Sequence, residues 1–161
     1  MKVDYVIGID LGMKGGIAVI PAKKKLKPEL YDMPLSGKTV DLRVIDDIIS
    51  STRPRTFVVI EKVLPFGRKS SQSNYWLGFY TGTFLTYCRL FNIPHTFVSA
   101  ITWKRHFSLT GKDKVASVLL AESRGITDVR TKRGRALDGR ADAYFIGLWA
   151  LETGVYKSYE S

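Results

Sequence analysis

Cysteine is almost missing from this chain. The single one, Cys88, excludes an intrachain disulfide and a thiolate zinc site. Histidine is nearly as scarce: His95 and His106 are too few and too far apart for a His-rich metal site. No apolar run approaches the ~20 residues that a membrane span needs. Met1-Lys2-Val3-Asp4 leads straight into a strand pattern rather than a secretory leader. These absences predict an intracellular protein with no membrane role. Acidic residues are the other shortage, with 15 Asp and Glu against 25 Lys and Arg in 161 residues and a net charge of +10. An excess of that size implies a polyanionic partner, nucleic acid foremost. The length fits one domain, 1–161, built on one sizeable core.

Against that background, the placing of the acids is informative. The apolar run Tyr5 to Ile9 ends at Asp10, and Thr56 to Ile60 ends at Glu61. Both runs have strand length and composition. Gly12-Met-Lys-Gly-Gly16 predicts a turn, and Ile17 to Ile20 a second strand antiparallel to the first. Lys23 to Lys27 predicts a basic hairpin tip and Glu29 to Met33 a third strand, with loop from Pro34 to Lys38. Val40, Val44, Ile45, Ile48 and Ile49 recur at helical spacing before Pro54. A helix crossing there makes the strand at 55–61 parallel to the first. Lys62 to Ser71 predicts a loop, and Ser73 to Leu90 a long helix.

That long helix carries more apolar residues than one buried face needs, which predicts a second face for a partner subunit. Pro94 to Val98 predicts a fifth strand, and Trp103–Leu109, Lys112–Arg124 and Gly139–Leu151 predict helices. On the middle one, Val115, Val118, Leu119 and Leu120 are expected to face inward. Within 125–137 lies a basic loop with Arg130, Lys132, Arg133 and Arg135. The expected fold is α/β: a mixed five-stranded sheet, three strands antiparallel and two parallel, flanked by helices.

Two neighbouring parallel strands present their C-terminal ends at one sheet edge, where ligand crevices form. Asp138 and Asp142, four apart, share one helical face with Phe145, Ile146 and Trp149. Each acid has a plain structural account when taken alone. Asp10 starts a turn, Glu61 is a solvated strand end, Asp138 an N-cap, and Asp142 a first-turn acid. Gathered at one edge, they predict a cation site. Two bare carboxylates that close repel unless a cation lies between them. Hard oxygen donors of this kind suit Mg²⁺ or Mn²⁺. Four acids have room for two ions per site, the arrangement that cleaves phosphodiesters.

Three motifs then carry a resemblance. Val6-Ile-Gly-Ile-Asp-Leu-Gly12, Val58-Val-Ile-Glu-Lys-Val63 and Asp138-Gly-Arg-Ala-Asp-Ala143 resemble those of the RuvC-like Holliday junction resolvases of the RNase H-like superfamily. The resemblance covers nearly the whole chain in order. It implies an RNase H-like fold and a homodimer that cuts four-way DNA junctions in recombination, repair or phage DNA processing. It implies Asp10, Glu61, Asp138 and Asp142 as metal ligands and catalytic acids, joined by Lys114.

Thr102-Trp-Lys104 and Leu109-Thr-Gly-Lys-Asp-Lys114 are similar to the family's basic segment. Lys104 and Lys114 then contact phosphate near the cut bond. Lys62, Lys112, Arg68, Lys69, Lys132, Arg133 and Arg135 complete the DNA-binding set. The spacing of four between the last two acids is that of phage-type and plastid-type members rather than the three of the best-known bacterial ones. Where those carry an aromatic three residues after the glutamate, this chain has Leu64, followed by Phe66. Either residue is a candidate wedge at an opened base step, and either alternatively caps the core. The resemblance places the protein in the cytoplasm of a bacterial or phage-infected cell. Two other readings stay open: an RNase H-like nuclease of RNA–DNA hybrids or structured RNA, and a non-catalytic junction-binding protein.

Overall fold

Alternation along two strands sets the positions of the first acids. A computed structural model describes residues 2–23, 26–62 and 70–160 of the chain. In β1 (Tyr5–Asp10), Val6 faces one hydrophobic core while Ile7 and Ile9 face another. In β6 (Thr56–Lys62), Phe57 and Val59 face the first core, Val58 and Ile60 the second. Side chains alternate along a strand, so Asp10 and Glu61 both follow the first set. The register Ile9↔Ile60 brings the two acids side by side at the C-terminal end of the paired strands.

The sheet is completed by β2 (Gly16–Pro21), β3 (Glu29–Asp32) and β7 (His95–Ser99) in the order β3-β2-β1-β6-β7. β1, β2 and β3 pair antiparallel, whereas β1, β6 and β7 run parallel. This is the mixed five-stranded sheet expected from the pattern. One segment departs from it. The stretch expected as loop holds a small hairpin, β4 (Leu35–Ser36) against β5 (Thr39–Val40), reversed at Gly37 with φ of 62°.

The helices are α1 (Leu42–Ile49), α2 (Ser71–Leu90), α3 (Ala100–His106), α4 (Val115–Ser123) and α5 (Asp138–Thr153). Side-chain caps move two boundaries from their expected places. Asp41 accepts from Arg43 N at 3.1 Å, so α1 starts after it. Ser99 accepts from Thr102 N at 3.1 Å and starts α3 three residues earlier than expected. The inward face of α4 is also corrected. Ser117, Val118 and Ala121 are buried, while Val115 and Leu119 are exposed.

Helices α3, α4 and α5 cover the first core, and α1 and α2 the second. Helix α5 lies on β1 in backbone contact. A Cβ at Gly8 would fall 2.0 Å from the Ala143 carbonyl oxygen, and one at Gly139 would fall 2.1 Å from that of Lys14. Only glycine permits that approach. Among the described residues, no helix is long and apolar enough to cross a membrane.

Candidate active site

Asp10, Glu61, Asp138 and Asp142 line one cleft of about 370 Å³ at the C-terminal edge of β1 and β6. Three segments deliver them. Strand alternation turns Asp10 and Glu61 to the α5 side of the sheet. The first turn of α5 supplies Asp138, and Asp142 stands one turn further on. Asp138 is itself the first helical residue, so it is not the N-cap; Leu137 holds that position without a side-chain cap. Arg140, between the two acids, is not a free cation. Its Nε and Nη2 donate to both oxygens of Asp32 at 2.8 and 3.2 Å, and its Nη1 donates to Asp128 Oδ1 at 2.7 Å. It therefore ties the start of α5 to the end of β3 and to the preceding loop.

The cleft resists holding all its charge. Asp10 is pushed well above the ordinary carboxylate range, first by burial and then by Glu61, Asp142 and Asp138, with Lys104 opposing. Asp142 is raised to about 6, chiefly by burial, while the Ser117 hydroxyl and Lys104 pull it down. Lys104 thus eases both acids. Glu61 is held by the indole of Trp103, a residue with no exposure, through a 2.9 Å bond from Nε1 to Oε1. A fifth acid of the lining, Asp113, lies two residues before α4 and accepts from Val115 N and Ala116 N at 2.9 and 3.2 Å.

Among the described residues, no three Asp, Glu, His or Cys side chains are gathered closely enough to hold one ion as they stand. The four acids ring the cleft rather than converging on a point. The donor set nonetheless fits a hard divalent cation in kind and charge. It offers only carboxylate oxygens, and Asp10 and Asp142, the two raised acids, are those a bound cation would return to the ionised state.

The lysines expected near phosphate are present. Lys104, Lys112 and Lys114 all line the cleft. Lys132, Arg133 and Arg135 are exposed on the turn closed by the Arg130–Ala136 bridge, and of these three Arg135 walls an adjoining cavity. Lys62 is exposed and alternates onto the sheet face away from the acids, so it does not join the cleft. Leu64, Phe66, Arg68 and Lys69 lie outside the described residues, as does part of the basic tip at 24–25. Trp103, Ser117 and Lys14 are cleft residues that sequence reasoning missed. Trp103 stood in a quoted motif, beside an expected phosphate ligand, but nothing in the sequence aimed its N–H at Glu61.

No protein-family model matches the sequence, and no curated protein matches it. Solved structures do match. RuvC of Thermus thermophilus in complex with a Holliday junction substrate is 20% identical, with a TM-score of 0.59 over 97% of this chain and 96% of that one. A second structure of Thermus thermophilus RuvC is 19% identical, with a TM-score of 0.61 over 96% of both chains. The yeast mitochondrial Holliday junction resolvase Ydc2 is 14% identical, with a TM-score of 0.57 over 98% of this chain and 82% of that one. The sheet order, the helices on its two faces and these alignments over nearly the whole chain agree: the protein has the fold of the RuvC-type Holliday junction resolvases.

Proposed function

We propose that this chain is a metal-dependent endonuclease that resolves four-way DNA junctions by paired symmetric nicks. The observation that carries the reading is the set of four carboxylates, delivered by three segments to one cleft with Lys104, Lys112 and Lys114 in its wall. A binding protein without chemistry has no use for four acids in a basic chain. The RuvC structure solved with a junction supports the same substrate class.

Asp10, Glu61, Asp138 and Asp142 would hold two Mg²⁺ or Mn²⁺ ions. Bound there, such ions supply an activated water and stabilise the departing 3′-oxygen. The chain's own residues do the rest. Trp103 orients Glu61. Lys104 balances Asp10 and Asp142 while the cleft is empty of cations. Lys112 and Lys114 attract the phosphate backbone. A homodimer presents two such clefts, as paired nicks require. Support for pairing lies on α2, where Tyr75, Phe79, Gly82, Thr86 and Leu90 form an exposed stripe at helical spacing, with open space beside Gly78 and Gly82. The reading places the protein with DNA in a bacterial or phage-infected cell.

The test is incubation with a synthetic four-way junction, a duplex and an RNA–DNA hybrid, with and without Mg²⁺. Paired nicks in the junction alone are expected. Asp10→Asn should stop cutting and still bind the junction in Ca²⁺. Cutting of the hybrid alone would replace this reading with a hybrid nuclease.

A further inference from the structure

The acid cleft continues past Asp138. A second cavity, also of about 370 Å³, adjoins it, and Lys14, Gly15 and Asp138 belong to both walls. Arg135 stands in the wall of the second cavity only, and Lys112 and Lys114 in that of the first only. Lys14 and Arg135 are both exposed, and neither has a carboxylate partner among the described residues. The other acid of the second cavity, Asp32, has both oxygens engaged by Arg140. Those oxygens are therefore committed, although Arg140 divides its single charge between Asp32 and Asp128. The second cavity thus sets the cations Lys14 and Arg135 against Asp138 and an Asp32 whose oxygens are taken, and Lys14 is the hinge between the two cavities.

A polynucleotide strand seated over the acids must continue beyond them. A phosphate beside the acids is repelled by them, so a cation next to the cleft is the favourable place for it. The volume of the second cavity is at the small end for ligand pockets, which suits one nucleotide unit and is too little for a duplex. We propose that this second cavity seats the nucleotide next to the scissile phosphate on the same DNA strand, with Lys14 and Arg135 contacting its phosphate. The proposal rests on the reading of the acid cleft as the place of cutting. It assigns Lys14 a role in fixing which phosphate reaches the acids.

The experiment is a binding cycle in Ca²⁺, where no strand is cut. Four-way junctions are made with one charge-neutral methylphosphonate linkage at a time on either side of the cut position. Each is bound to the wild-type protein, to Lys14→Ala and to Arg135→Ala across a salt series. One flanking linkage should weaken wild-type binding about fivefold when neutralised and cost nothing further in Lys14→Ala, because the two changes remove the same contact. Each variant should also lower the log–log salt slope by about one.

If every linkage and substitution acts independently, or the slopes do not change, the subsite is wrong while junction cutting stands. If the wild-type protein does not bind junctions at all, the nuclease reading falls and this proposal falls with it. Lys14→Gln is the second variant, since it keeps the stem and removes only the charge. It should behave as Lys14→Ala does, and wild-type coupling in it would overturn the assignment.

Discussion

The indole N–H of Trp103 donates to Glu61 Oε1 at 2.9 Å, joining residues 42 apart in the chain. Trp103 has no exposure, so its ring is a fixed donor that orients the Glu61 carboxylate. Trp103→Phe removes the donor and part of a fully buried ring, leaving a small cavity. Folding stability should fall by roughly 1–3 kcal/mol. The divalent-ion concentration that gives half-maximal cleavage should rise about tenfold, the usual effect of freeing a ligand's orientation. Calorimetric titration with Mn²⁺ checks the same shift without turnover. An unchanged affinity would reduce Trp103 to a packing residue.

Asp142 makes stability depend on pH in an unusual direction. Its folded value of about 6 lies above the ordinary 3.8, so the folded protein holds this proton more tightly than the unfolded chain does. The stabilisation is complete below about 4 and is lost as pH rises towards and past 6. At pH 8 without divalent ions, Asp142→Asn should therefore be more stable than wild type, by on the order of 3 kcal/mol. The gap should close below pH 4. Thermal melts at both pH values decide it. Mg²⁺ should raise the wild-type melting temperature at pH 8 more than that of Asp142→Asn.

Arg140 stands between two site acids yet serves α5 rather than the substrate. Its guanidinium bridges Asp32 and Asp128, both of them exposed. Arg140→Ala should cost about 1–2 kcal/mol of stability and slow cutting, since Asp138 sits in the turn it anchors. Arg140→Lys should recover little, because an ammonium cannot span both carboxylates in the planar geometry of a guanidinium. Junction affinity should change little for either variant. A large loss of binding would mean that the residue touches DNA.

On α2, Phe79 is 40% exposed and Leu90 is 71% exposed. Phe79→Glu should leave the fold intact and turn a dimer into a monomer, as read by sedimentation. Paired nicking should then give way to single, uncoupled nicks. A wild-type protein that sediments as a monomer would remove the basis for paired cutting.

The strands and the four acids were legible because they obey short rules. β-branched runs ending in a carboxylate gave β1 and β6, and the spacing of four put Asp138 and Asp142 on one helix face. What was not legible depended on contacts between distant segments. Nothing in the pattern around Arg140 pairs it with Asp32, 108 positions away, until the fold brings the two together. Leu119 was expected inside on hydropathy, but α4 packs through Ser117, Val118 and Ala121, which leaves Leu119 outside. The hairpin at Leu35 to Val40 is too short for periodicity to register. Lys14, lodged in a glycine turn, carried no periodic signal at all.

The sheet separates two kinds of work. The acids, Trp103 and the cleft lysines lie on the side or rim covered by α3, α4 and α5, whereas the exposed stripe of α2 belongs to the other layer. Hydrophobic residues at alternate positions of β1 and β6 serve one layer or the other, never both. Under the proposed pairing through α2, substitutions that alter how copies recognise one another can therefore accumulate there without reaching the acids. The two traits are free to diverge at separate rates within one lineage.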